Sequence, residues 1–475
     1  MDTAFPLRFY SSASDASQTA APSRRNRLES AGLWLRRHRR HIALMQWGVV
    51  VFYGALVVLP ALLPLPSGDA RLWNNLRLFA QFVFWGLWWP GVMLATIGLG
   101  RVWCGLFCPE GFLSELASRH GRGKTAPVWL KWHYWPFIAF VTTTIYGQLI
   151  SVYQYAEAAL LILGGSTLVA VLVGFLYGHD KRVWCRYLCP ASGVFAVLAK
   201  IAPLHYKVDR AAWDNAGAEQ PFNCPPLVDV RRMSSASDCH ACARCAGQRD
   251  AVRLASRSPF VEILRLDIPA RATDAYTLIF GVMGIATAAF QWTISPWFLN
   301  MKMTLATWLV EHEHYTLLDA DAPPWWLLTH YPQVNDAFSW LDGALVLTYL
   351  LGGGVLLGAL LLIAPHLAAR LMRHPRLDWK RFALTLTPMG AASVILGLTM
   401  TTATQLRGEH LLLNGLPYLR VTLLGAGGIA SLWLAFALIR QAGNVNRLRR
   451  IGAWCAMILP VALMTGLWGL AFFVW

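Results

Sequence analysis

Eight of the nine cysteines in this 475-residue chain fall into two patterns that could hold a metal. Residues 101–109 read RVWCGLFCP, and residues 182–190 read RVWCRYLCP. Each phrase carries two cysteines four apart, Cys104 with Cys108 and Cys185 with Cys189, and each closes on a proline. On a helical turn that spacing puts both thiols on one face. Two such pairs brought together would make a four-thiolate site, which suits an iron–sulfur cluster, zinc or copper(I). The alternative is two pairs of plain buried thiols. The repeated Arg-Val-Trp-Cys-x-x-x-Cys-Pro marks an internal duplication.

The second pattern is CHACARC at residues 239–245, with Cys239, Cys242 and Cys245 each three residues apart. Tight C-x2-C-x2-C spacing lets one loop wrap three corners of a cubane cluster. The usual local fourth cysteine would fall at position 249, where this chain has Arg249. The remaining candidate is Cys224, followed by Pro225. The expectation is one [4Fe–4S] cluster held by Cys224, Cys239, Cys242 and Cys245, against a zinc-binding or redox-inert knuckle. No C-x-x-C-H occurs, so covalent haem attachment has no support.

The elements that must position these residues are membrane helices. The chain is 56% hydrophobic and 14% charged, with mean hydropathy +0.43, against about 25% charged residues in ordinary soluble domains. Apolar runs of about twenty residues match the thickness of a bilayer. Nine spans are expected, at about 42–63, 78–99, 134–152, 158–177, 276–298, 345–364, 384–403, 421–439 and 451–474. The division predicted is a basic cytoplasmic tail (1–41), a four-helix membrane domain with both cysteine phrases (42–200), a small ferredoxin-like insert (201–268), and a five-helix membrane domain (269–475) with an acidic outer segment at 300–342. The fold class is thus all-α and polytopic. The net charge of +16 sits in short basic loops that all fall on one side of the membrane when the N-terminus is inside. That arrangement argues for a lipid-bilayer protein with no nucleic-acid partner. It places the thiols on the reducing cytoplasmic face, where metal binding is a better use of cysteine than disulfides. The expected location is a bacterial inner membrane, with the C-terminus outside.

VWCGLFCPEG, VWCRYLCP and CHACARC together resemble the membrane polyferredoxins. That group includes the quinol-dehydrogenase membrane subunit of periplasmic nitrate reductase, the membrane half of the nitrous-oxide-reductase regulatory protein, and the cytochrome-oxidase copper-assembly ferredoxin. The resemblance covers about residues 80–265. It implies single-electron transfer between a cytoplasmic or quinone-level donor and a membrane or periplasmic acceptor. It also implies redox or metal chemistry at Cys104, Cys108, Cys185 and Cys189, with a second cluster and a quinone as candidate cofactors. The chain departs from the group in having one four-cysteine set in the insert where two are usual, and in its extra C-terminal spans. Those spans resemble the polyferredoxin component of bacterial ferrous-iron uptake. A metal-handling role, in copper or iron reduction, assembly or uptake, is the competing reading. A transporter is the third, and it lacks intramembrane charge. Two further features are weighed: EHEH at 311–314 reads as a solvated helix end, and lone Cys455 as a small buried hydrophobe.

Overall fold

The computed structural model describes residues 26–217, 222–443 and 445–475; residues 1–25 of the expected tail lie outside them. Helix α1 (Arg27–Arg37) turns at His38 into α2 (Arg39–Ala61). Helix α3 (Leu76–Leu99) starts at an Asn75 cap, which accepts from the Arg77 and Leu78 amides. It stops at Gly100, whose φ of 70° bends the chain back before the first cysteine phrase. Helices α4 (Pro109–Arg119), α5 (Trp135–Leu149), α6 (Ala156–Leu176) and α7 (Pro190–Leu198) complete the duplicated region. α4 lies against α6 so closely that a Cβ at Gly174 would sit 2.2 Å from the Ser114 carbonyl oxygen. The insert is built on one antiparallel ribbon, β1 (Leu204–Val208) with β2 (Val252–Ser256). Helices α8 (Ala272–Ile294), α9 (Pro296–Glu311), α10 (Trp340–Met372), α11 (Thr387–Gly408), α12 (Leu416–Arg440) and α13 (Arg447–Phe473) follow.

The main core joins the two halves: Phe195 and Leu198 of α7 pack in one cluster with Met283 of α8, Met389 of α11 and Trp468 of α13. Trp468 is fully buried and donates its indole N–H to Ser393 Oγ at 3.1 Å. Outward positions on the spans are apolar too, as at Val51, Leu172, Leu356 and Ile429, the pattern of helices solvated by lipid.

Among the described residues, seven helices are long and apolar enough to cross a membrane: α2, α3, α6, α8, α10, α12 and α13. The other two of the nine expected spans are helices of a different character. α5 has only 15 residues, short of the ~20 that a bilayer requires. α11 has 22 residues but carries Thr387, Ser393, Thr399, Thr402 and Gln405. Its first half is buried among other helices, so its apolarity need not match lipid. The acidic segment also holds more structure than a loop. α9 occupies its start, exposing Trp297, Met303 and Trp308, and a two-residue ribbon pairs His330–Tyr331 with Asp336–Ala337. Glu311, His312, Glu313 and His314 are all exposed at the end of α9. Cys455 is exposed on α13 rather than buried.

Candidate metal centre

In the insert, Tyr206, Trp213, Val230, Ala246 and Val252 form a small core around the CHACARC loop. Ala241 and Ala243 adopt left-handed backbone, with φ of 50° and 60°. Alanine disfavours that region by roughly 1–2 kcal/mol per residue, so tertiary structure holds the loop there. The geometry turns backbone N–H groups toward sulfur: the Ala241 amide donates to Cys239 Sγ at 3.4 Å. Cys224 packs in the same cluster as Cys239 and Cys245. Burial raises the Cys224 thiol to about 11 and the Cys239 thiol to about 12, and the Cys242 sulfur adds to both. The four sulfurs of the insert therefore share one neighbourhood.

The twin phrases are built differently from the expected single helical face. Cys104 lies in a wide π-helical turn, Trp103–Phe107, whereas Cys108 has extended backbone (φ −61°, ψ 118°) and caps a new helix, α4. Cys189 caps α7 in the same way. The proline explains both. It pushes the residue before it out of the helical region, and it suits the first helical position, where its missing N–H costs nothing. Each Cys-Pro thus sets a sulfur at a helix N-terminus, where the dipole favours negative charge. Cys108 Sγ accepts from the Gly111 amide at 3.4 Å.

The two phrases meet. A Cβ on Gly111 would stand 3.4 Å from Cys185 Sγ and 3.6 Å from the Cys104 carbonyl oxygen. Burial pushes the Cys108 thiol up, and Cys185 and Cys104 push it further. Burial raises Cys185 to about 12, with Arg182 pulling it down. Thiols this reluctant to ionise become thiolates when a metal provides the positive charge.

Among the described residues, no three His, Cys, Asp or Glu side chains converge tightly enough to hold a single ion. Tetrahedral zinc, with Zn–S of about 2.3 Å, needs sulfurs about 3.8 Å apart. By donor type, two sets of four thiols suit an iron–sulfur cluster, zinc or copper(I).

The insert is docked directly onto the first phrase. A Cβ on Gly105 would fall 2.1 Å from the His240 carbonyl oxygen and 2.7 Å from the Cys242 amide nitrogen. Only glycine admits this approach. Beside it, Glu115 of α4 is buried between Arg182 and Arg244, with Arg182 Nε at 2.8 Å and a direct ion pair to Arg244 from the CHACARC loop. Burial alone would raise the Glu115 carboxyl, but the two arginines hold it down at about 2. Arg101 donates to the Ser237 carbonyl at 2.6 Å and to Ser192 Oγ at 2.8 Å. Arg186 reaches Asp238 at 2.7 Å.

Beneath the twin phrases lies a cavity of about 240 Å³ within the membrane domain. Cys104, Cys108, Cys185 and Cys189 line it, together with Glu110, Trp85 and Trp89. Glu110 accepts from Ser166 Oγ at 2.7 Å and from the Trp184 indole at 3.1 Å. The indole N–H groups of Trp85 and Trp89 have no protein partner.

The cysteine spacing does not point to Glu110, Glu115, Gly105 or Arg244. One signal was available for two of them. Where the first copy has Gly105 and Glu110, the second has Arg186 and Ala191.

A 4Fe-4S binding domain family matches residues 81–127 and 160–208. Each matched segment takes in the end of a span, one cysteine phrase and the chain that follows it. With the all-helical membrane architecture, these two matched segments make the chain similar to membrane-type 4Fe-4S proteins. Among individual proteins, it is similar to "Putative electron transport protein YccM" of Escherichia coli (strain K12), at 23% identity over 237 residues. That match covers 42% of this chain and 64% of the relative, just under two thirds of its length. It is also similar to two uncharacterized proteins of Methanocaldococcus jannaschii. One, MJ0750, is 25% identical over 171 residues, 32% of this chain and 71% of that protein; the other, MJ0749, is 24% identical over 164 residues, 32% and 63%. No solved structure matches the chain.

Proposed function

We propose that this protein relays single electrons between a cytoplasmic or quinone-level donor and an acceptor in or beyond the membrane. In this reading it sits in a bacterial inner membrane, N-terminus inside and C-terminus outside. Cys224, Cys239, Cys242 and Cys245 hold one [4Fe–4S] cluster, and Cys104, Cys108, Cys185 and Cys189 hold a second. Such clusters supply one-electron storage at potentials set by thiolate number, hydrogen bonds to sulfur and burial. The protein's own part is to hold the two sets in series. The observation that carries this is the contact at Gly105, where the first phrase touches the backbone of Cys242 with no side chain between them. Arg101 and Arg182, both buried beside the thiols, offset the negative charge that thiolate ligation brings. The cavity supports a quinone at the membrane end, since its unpartnered Trp85 and Trp89 N–H groups suit carbonyl oxygens.

The test is iron and acid-labile sulfide on anaerobically purified protein, with EPR after dithionite reduction. Two cubane clusters require about eight irons per chain. C242S and C185S should each remove about four. Iron near four that survives C185S would leave the twin phrases without a cluster. Zinc or copper without sulfide would sink the electron-relay reading.

A further inference from the structure

The cytoplasmic end of the insert carries charge that its own fold leaves without a use. In the β1–β2 ribbon, Lys207 stands directly across from Arg253, and both are exposed. Like charges directly opposite on a ribbon destabilise it. Other arginines in and beside the insert are matched to acids: Arg231 with Asp214 at 2.9 Å, Arg257 with Glu262 at 2.6 Å, Arg271 with Asp238. Lys207 and Arg253 have no ionic partner among the described residues. The nearby acids are turned elsewhere. Asp209 caps the following helix through the Ala212 amide at 3.1 Å, and Asp250 lines a cleft with Arg36 and Arg37 of α1.

The position of this pair matters. The other end of the ribbon is pinned to the membrane domain: the Leu204 carbonyl lies 3.3 Å from where a Gly100 Cβ would be. Lys207 and Arg253 are three residues further along, about 10 Å at ~3.3 Å per residue. Strand neighbours Tyr206 and Leu254 point to the opposite face. Tyr206 packs in one cluster with Cys245, Cys239 and Cys224. The cationic face is therefore one strand's thickness from the insert thiols.

We propose that this ribbon face, centred on Lys207 and Arg253, docks a small acidic one-electron carrier protein. The proposal rests on the electron-relay reading and names its cytoplasmic donor by chemistry. The reduced carrier loses one electron to the insert and leaves oxidised; no bond or proton is exchanged. Complementary charge of this kind chiefly speeds and orients encounter, and it weakens with salt.

The experiment measures binding of an oxidised, acidic plant-type ferredoxin to the full-length protein in nanodiscs of zwitterionic lipid, at low and high salt, by calorimetry. K207E should weaken binding about tenfold at low salt, and K207E/R253E further, while high salt should erase most of the difference. K207E also places a carboxylate across from Arg253, so hydrogen exchange in the ribbon should slow or stay unchanged. A weaker complex on an equally stable ribbon separates lost docking from a damaged fold. Equal affinity of wild type and K207E, or binding insensitive to salt, overturns the proposal. So does binding that requires phosphatidylglycerol in the disc, which would assign the face to lipid. Because the carrier is oxidised, the measurement does not depend on electron flow. Absent clusters would defeat the relay reading, whereas unchanged binding would defeat the docking face alone.

Discussion

Replacing Glu115 by glutamine should loosen the insert from the membrane domain without touching a cysteine. The Glu115 side chain is 2% exposed, as is that of Arg182, and the Arg244 side chain is 18% exposed. Moving its carboxyl from the ordinary 4.5 to about 2 corresponds to about 3 kcal/mol in favour of the charged, folded arrangement. That agrees with the roughly 3–5 kcal/mol typical of deleting one partner of a buried ion pair. E115Q leaves Arg182, Arg244 and the half-exposed Arg119, 2.8 Å away, facing a neutral amide. The loss should appear as local opening, because the contact joins one subregion to the rest. Hydrogen exchange at residues 239–245 should accelerate about a hundredfold, while the core around Trp468 keeps its protection. The control is D214N. Its partner Arg231 is 57% exposed and Asp214 is 50% exposed, so the change should cost under about 1 kcal/mol. The pH dependence has a definite sign. The folded carboxyl is depressed, so its contribution is complete above about 4.5 and is lost as pH falls toward about 2. Docking should be level between pH 7 and 5 and fail below, and E115Q should abolish that acid limb. Exchange in the 239–245 loop that is no faster in E115Q than in D214N would refute the assignment of Glu115 as the anchor.

Four further outcomes follow from the same geometry. G105A should displace the CHACARC loop, because its methyl would meet two backbone groups, whereas G98A, with nothing within 4 Å, should be silent; iron retention and insert hydrogen exchange report the difference. R101Q removes bonds to Ser237 and Ser192 and strands two buried acceptors, costing about 1–3 kcal/mol, read as a lower denaturation midpoint of the insert. W85F and W89F should weaken binding of a short-chain quinone analogue severalfold, measured by tryptophan quenching; unchanged affinity in both would remove the quinone from this cavity. C455S should leave iron content and stability unchanged, since that cysteine is exposed and belongs to neither cysteine pattern.

Much of the architecture was legible because membrane helices announce themselves through long apolar runs. The seven crossing helices fall where those runs do. The two exceptions show the limit of the signal. α5 is cut short, and α11 is polar enough to look marginal, yet it is shielded by its neighbours. Hydropathy measures transfer into lipid, and these helices contact protein. The cysteine spacing marks two groups, and the remote Cys224 packs against the same small core as Cys239 and Cys245. Their local geometry was not. Reading Cys104 and Cys108 as one helical face ignored Pro109, whose constraint on its predecessor turns the second cysteine of each phrase into a helix cap. The contacts that join the insert to the membrane are long-range pairings, Glu115 with Arg244 and Gly105 with Cys242, and no local periodicity encodes them.

The breaks in the duplication carry the functional content. Arg, Val, Trp, both cysteines and Pro repeat because both copies face the same problem, presenting two sulfurs at a helix start. Gly105 and Arg186 occupy equivalent places and differ because the insert meets the two copies in different ways. At the first, the backbone of Cys242 needs an empty position; at the second, a long side chain reaches Asp238 at 2.7 Å. Glu110 and Ala191 differ in the same way at the cavity wall, where a single carboxylate is held by Ser166 and Trp184. The copies also differ at Leu106 against Tyr187 and Phe107 against Leu188, but Gly105 and Glu110 are the positions that meet the insert and the cavity wall, where an electron relay needs an entrance on one side and an exit on the other.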